Sequence, residues 1–163
     1  MEKFFASDVE KITGVKRTRL QQWLEKGFLS PSIHEAEGHG DRNIYSRIDI
    51  YNIAVFKKIS ESGLQRKVAA DLIGCGVLPP DLSRAELYEI NYLLFFRKEN
   101  KHEGIYITYT KDQIERDGGV VLDLTYQMEV TNMDNFDDMH LINFVKIRNE
   151  VDKNIVLHMA EEI

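Results

Sequence analysis

The sequence predicts an α+β protein: a helical N-terminal half, then a small antiparallel sheet and a long C-terminal helix. Three observations carry this. Apolar residues recur at helical spacing across residues 5–73, punctuated by glycines and one turn-rich stretch. After Pro79-Pro80-Asp81 the pattern shifts to runs rich in aromatic and β-branched residues, Tyr92–Phe96 and Ile105–Tyr109. The last segment, about residues 136–161, returns to helical periodicity. Charge divides the chain at a similar place. Residues 1–73 carry 12 Lys and Arg against 10 Asp and Glu, whereas residues 74–163 carry 9 against 17, so the net charge of −6 originates in the second half. Residues 1–78 are therefore read as one domain and 79–163 as a second module.

In chain order, Ser7-Asp8-Val9-Glu10 has the spacing of a capping box, with Val9 and Ile12 on one face of the first helix. Gly14 suits the left-handed residue that ends it, and Val15 is expected to be buried between two helices. A second helix is predicted over about Lys16–Lys26, because Leu20, Trp23 and Leu24 fall at i, i+3, i+4. Gly27 stops it, and Pro31 keeps the following Phe28-Leu29-Ser30 extended. Residues 32–44 hold a turn cluster, Gly38-His39-Gly40-Asp41, between two extended arms, which predicts a hairpin with Arg42, Asn43 and Tyr45 at its return. Ser46 and Asp49 then form a second cap pair, opening a helix of about Arg47–Ser62 with Ile50, Ile53, Ala54, Phe56 and Ile59 inward. A shorter helix covers about Arg66–Ile73.

Helix, tight turn, helix, hairpin and helix in that order make a winged helix-turn-helix, and the second helix of such a motif lies in the DNA major groove. Lys16, Arg17, Arg19 and Gln22 sit near its start and off its apolar face. Arg can bind phosphate or guanine O6 and N7, and Gln can pair with adenine. Taken alone, such charges describe an ordinary solvated helix face; within this frame DNA contact is the preferred reading. An acidic chain does not oppose it, since local placement of basic groups governs phosphate binding.

The segment resembles the mercury-resistance regulator (MerR) family of winged-helix transcription regulators. The resemblance is carried by ITGV (12–15), Leu20, GFLSP (27–31), PSIHEAEGHG (31–40), IYS (44–46), Asp49 and Gly63-Leu64, and spans roughly residues 4–73. It implies a homodimer on a pseudo-palindromic promoter site in double-stranded DNA, which family members often underwind or bend so that RNA polymerase can use an overlong spacer. Carried over by position, Lys16, Arg17, Thr18, Arg19 and Gln22 lie at the major groove and Tyr45 approaches the backbone. The chain departs from the family twice. Gln21 stands where an Arg phosphate contact is usual, and Asn43 where an Arg precedes the Tyr by two, with Arg42 one position earlier as a candidate replacement. The expected DNA-binding set is Lys16, Arg17, Thr18, Arg19, Gln21, Gln22, Arg42, Asn43 and Tyr45.

In the second half, Gly118-Gly119 reads as a turn, and Val120, Leu122, Leu124, Tyr126, Met128 and Val130 alternate with polar residues as a half-buried strand. With the two earlier runs this predicts three strands. Asp137 and Asp138 suit the positive end of the final helix, whose Phe144, Ile147, Val151 and Ile155 form a 3-4-4 stripe. That stripe is expected to pack on the sheet, or to form a dimer interface. The family instead places a long coiled-coil helix after its DNA-binding region. The aromatic-rich sheet is read as core, with an apolar effector pocket as the alternative and the effector unidentified.

Several classes are disfavoured. No apolar run approaches the ~20 residues of a membrane helix, and Met1–Ile12 lacks a signal-peptide pattern, so a cytoplasmic protein is expected. Cys75 is the single cysteine, which excludes an intrachain disulfide and suits an inert buried thiol. His34 and His39, with Glu35 and Glu37, lie in a turn-rich loop without fixed spacing, and His102, His140 and His158 are scattered, so no metal site is expected. Asp134, Asp137 and Asp138 lack a calcium-loop pattern. Neither a phosphate-binding loop nor a nucleophile elbow occurs, and no enzyme activity or cofactor is expected. The preferred function is a sequence-specific, dimeric DNA-binding transcriptional regulator. The alternatives are a winged-helix protein-interaction adaptor and an excisionase-like architectural DNA binder.

Overall fold

The computed structural model describes residues 2–38, 40–74, 78–98, 101–108 and 138–161. His39, Cys75, the Gly118-Gly119 turn, the alternating 120–130 segment, Asp134 and Asp137 lie outside the described residues. The N-terminal half follows the expected order: α1 (Ala6–Thr13), α2 (Arg17–Glu25), α3 (Arg47–Glu61) and α4 (Arg66–Gly74). The start of α1 differs from the sequence expectation. Phe5, not Ser7, precedes the helix, and the Asp8 carboxylate accepts from the Phe5 amide at 2.7 Å. The entry is set two residues earlier because Phe4 forms an antiparallel bridge with Tyr45, which delivers the chain into the helix at Phe5. Glu10, released from capping, turns to Arg17 instead.

The α1–α2 turn is as the sequence demands. Gly14 adopts φ +69°, the left-handed conformation in which a Cβ is costly. Val15 follows as a buried plug at 3% exposure. Thr13 braces the turn: its hydroxyl donates to the Val9 carbonyl at 2.7 Å and accepts from the Val15 amide at 3.2 Å. Lys57 reaches over from α3 to donate to the Thr13 carbonyl at 2.9 Å, satisfying a helix-end acceptor.

The cap pair at α3 forms as expected. Ser46 Oγ accepts from the Asp49 amide at 3.2 Å, and Asp49 accepts from the Ser46 amide at 2.7 Å. Asp49 also accepts from the amide and hydroxyl of Ser32, at 2.9 and 2.8 Å, so one buried carboxylate holds both the helix start and the incoming loop. α3 buries more than the expected stripe. Ile48, Tyr51 and Val55 are inside together with Ile50, Ile53, Phe56 and Ile59, because other helices pack against it on several sides. Trp23 meets Phe56 edge-on with ring centroids 4.5 Å apart.

Beyond Pro79-Pro80 the order is α5 (Arg84–Glu89), β1 (Ile90–Lys98), β2 (Lys101–Thr108), β3 (Asp138–Asn143) and α6 (Phe144–Glu161). The α+β class stands, with two corrections to its details. α5 was not anticipated, although Ser83 and Glu86 make a complete capping box, at 3.2 and 2.9 Å. Six residues are too few for a periodic stripe to show. Residues 138–143, expected as the first turns of the last helix, are a strand. β1 is the central strand, antiparallel to both neighbours in the order β2-β1-β3, with Leu93 opposite Tyr106 on one side and Ile142 on the other. The open edge of β1 captures 138–143, overriding a local preference too weak to decide.

α6 packs on β1 as expected, and it also returns to the helix-turn-helix, lying against α1 and α3. Phe144, Val151 and Ile155 are buried in one continuous core with Val9, Ile12, Tyr51 and Phe56. Leu78 and Leu87 join the same core. Polar side chains reinforce the union. Asp152 accepts from Tyr51 of α3 and Tyr88 of α5, and pairs with Arg47 at 3.0 Å. Asn154 donates to the Ile12 carbonyl at 2.7 Å, and His158 stands 3.3 Å from Asp8. Buried Arg148 donates to the carbonyls of Leu87, Tyr88 and Ile90 at 3.0, 2.9 and 3.1 Å, closing the end of α5.

Candidate nucleic-acid interface

Leu20 and Trp23 anchor α2 to the core, at 1% and 3% exposure, and Leu24 packs at their edge. With that face fixed, helical geometry turns Thr18, Gln22 and Glu25 outward, flanks them with Arg17 and Gln21 on one side, and places Arg19 and Lys26 on the other. Lys16, Arg17, Thr18, Arg19, Gln21 and Gln22 are all exposed. The basic start of α2 is thus solvent-exposed, with Arg17 and Arg19 on opposite flanks of Thr18 and Gln22. Arg17 Nε lies 3.0 Å from Glu10, but its side chain is 66% exposed, so the pair is weak and exchangeable. Gln21 donates to Glu25 at 3.1 Å.

The 32–45 loop is closed by side chains rather than by a strand ladder. Among the described residues of its two arms, an antiparallel bridge joins His34 and Ile44. The Asn43 carboxamide oxygen accepts from the Ala36 amide at 2.9 Å, so Asn43 latches the two arms together. Asp41 does the same nearer the tip, accepting from the Glu37 amide at 3.0 Å and lying 2.8 Å from the His34 ring. The Glu37 amide, the His34 ring and the Arg42 amide together hold the Asp41 carboxyl below its ordinary range. Arg42 is exposed on the return arm.

Tyr45 departs from its expected place near the DNA backbone. Its ring is 1% exposed, and its backbone bridges Phe4. Burial pushes the phenol up to about 12, and its hydroxyl has no partner in hydrogen-bond geometry among the described residues. Tyr45 thus belongs to the core, beside the loop.

A feature the sequence reading missed lies between α2 and the loop. Gln21 and Asn43, the two departures from the family pattern, line one groove together with Glu25, Glu35, Glu37 and Asp41. Every one of these carboxylates was visible in the sequence; their convergence needed the loop's fold. The basic groups of the surface stand at the start of α2 and on Arg42, while the groove between them carries negative charge.

Among the described residues, no cluster of His, Cys, Asp or Glu is placed to hold a metal ion, and no helix is long and apolar enough to cross a membrane. No curated protein matches the chain. Residues 6–73 match the family model described as MerR HTH family regulatory protein, so this segment is similar to the helix-turn-helix of that family.

Proposed function

We propose that the chain is a sequence-specific regulator that binds double-stranded DNA as a homodimer, with the start of α2 in the major groove. The observation that carries this is the exposed cluster Lys16, Arg17, Thr18, Arg19 and Gln22, presented on a helix fixed by Leu20 and Trp23. Gln22 and Thr18 point outward where base edges would lie, and Lys16, Arg17 and Arg19 flank them as phosphate or guanine contacts. Arg42 supplies a second basic point across the groove, with the 32–45 loop acting as a wing. Gln21 and Asn43 serve the interface indirectly, Gln21 by holding Glu25 and Asn43 by closing the loop. Dimerisation is assigned to the outer side of α6, where Val156, Leu157 and Met159 are exposed at 66%, 53% and 50%. Residues 79–163 then serve as the dimerisation and control module, and RNA polymerase is the downstream partner.

Selection from a random double-stranded DNA pool at low salt tests the reading. Enrichment of an inverted repeat, bound by two chains, supports it; folded protein that enriches nothing overturns it. A second reading, a protein-interaction adaptor, is favoured by the acidic α2–loop groove, which repels phosphate and suits a basic protein segment. It predicts no DNA affinity together with stable co-purification of a basic partner.

A further inference from the structure

A cavity of about 380 Å3 lies at the seam between the helix-turn-helix and the C-terminal unit. Its walls come from the end of α3 and the following loop on one side, and from β3 and the first turns of α6 on the other. Ile59, Leu64, Leu141, Ile142 and Ile147 supply apolar surface. Leu141 is 43% exposed, an uncovered apolar side chain in a concave setting. Lys58 and Lys146 stand among the lining residues, both exposed and neither in an ion pair among the described residues. Glu150 is the one carboxylate of the lining, so the two ammonium groups leave one positive charge in excess. The volume is at the small end of ligand pockets, about 300–1,000 Å3, which combine apolar walls with a few orienting polar groups.

From the apolar walls, the two lysines and the size of the cavity, we propose that this seam binds a small amphipathic organic anion. Its apolar body lies against Ile59, Ile142 and Ile147, and its single anionic group meets Lys58 and Lys146. Neutral and cationic molecules of the same shape lose that contact, and a cation also meets uncompensated like charge. A ligand here touches α3 and α6 at once, so it can bias how the C-terminal unit sits on the helix-turn-helix. That regulatory consequence rests on the DNA-binding function proposed above, whereas ligand binding itself does not.

The test uses the full chain with three probes of one chain length: decanoate, decanol and decyltrimethylammonium. Calorimetry is expected to show saturable 1:1 binding of decanoate, with the alcohol and the cation about tenfold weaker or worse. The K58Q/K146Q double variant changes only exposed side chains and is expected to keep the wild-type melting temperature. It should lose about tenfold of its decanoate affinity, as two solvent-exposed charge contacts permit, and bind decanol unchanged. Methyl resonances of Ile59, Ile142 and Ile147 should move on titration, whereas those of Val156 and Leu157 on the exposed end of α6 should not. The proposal is overturned by absence of saturable decanoate binding, by equal affinity for the three probes, by an unchanged affinity in the double variant, or by shifts confined to the α6 end. A loss of DNA binding with ligand binding retained would overturn the proposed function and leave this site standing.

Discussion

The helix-turn-helix has an outer side, formed by α2 and the 32–45 loop, and an inner side packed against α6. They are built on opposite principles. The basic and amide side chains that the outer side turns to solvent from α2 and Arg42 have few or weak partners: Arg17 pairs with Glu10 and Gln21 with Glu25, and Arg19 and Arg42 are exposed. The inner side is dense, with Tyr51 and Phe144 fully buried against each other and Arg148 and Asp152 each serving three partners. The difference separates stability from recognition. Exposed charges on α2 can change at little cost to the fold. The inner side has no such freedom, because a lost partner leaves buried polar groups unpaired.

The contrast is broken most severely if inner substitutions prove mild. Phe144→Ala removes the ring of α6 that meets Tyr51 of α3, and should cost about 3–5 kcal/mol in denaturant unfolding. Arg148→Met strips the donor from three carbonyls at the end of α5 and should cost about 2–3 kcal/mol. If either variant unfolds like wild type, α6 is not the clamp described.

On the outer side the expected losses are in affinity alone. Arg17→Ala with Arg19→Ala should shift stability by no more than about 0.5 kcal/mol. It should weaken DNA binding and reduce the salt slope by about 0.9 for each phosphate contact removed. A variant that binds with an unaltered slope and affinity would move the interface away from α2. Glu35→Gln with Glu37→Gln removes charge from the α2–loop groove and should strengthen DNA binding a few-fold at low salt, an advantage that shrinks as salt rises. Weaker binding would mean that these carboxylates contact the partner directly.

The smallest effect concerns Asp41. Its folded pKa lies below the ordinary 3.8, so its contribution to loop closure is complete above that value. It is lost only as pH falls through the depressed folded value. Exchange of the Glu37 amide should therefore be unchanged, once corrected for intrinsic rate, from neutral pH down to about 4. It should lose protection at more acidic pH, and Asp41→Asn should show the loss already at neutral pH. Protection that survives in Asp41→Asn would assign loop closure to Asn43 and the His34–Ile44 bridge alone.

Which features were legible follows from the distance over which they are decided. The Ser46–Asp49 box, the Gly14 turn and the Leu20–Trp23 face involve residues within four positions of one another, and the structure reproduces each. The Ser83–Glu86 box was equally local, but its helix is too short to display a period. β3 was misread because strand pairing with β1 joins residues more than 40 positions apart. The burial of Tyr45 was not legible for a related reason: it accompanies the bridge to Phe4, at the other end of the domain.

Sequence alone determined the α+β class, the order of the N-terminal helices and the likeness of residues 6–73 to a known helix-turn-helix family, because capping, glycine conformation and apolar period are properties of neighbours along the chain. Only the tertiary structure decided that α6 returns to clamp the helix-turn-helix, that Gln21 and Asn43 share a carboxylate-lined groove, and that Lys58 and Lys146 border one cavity. Each of these depends on where separated segments meet, and that is set by the packing of the common core, which no local pattern encodes.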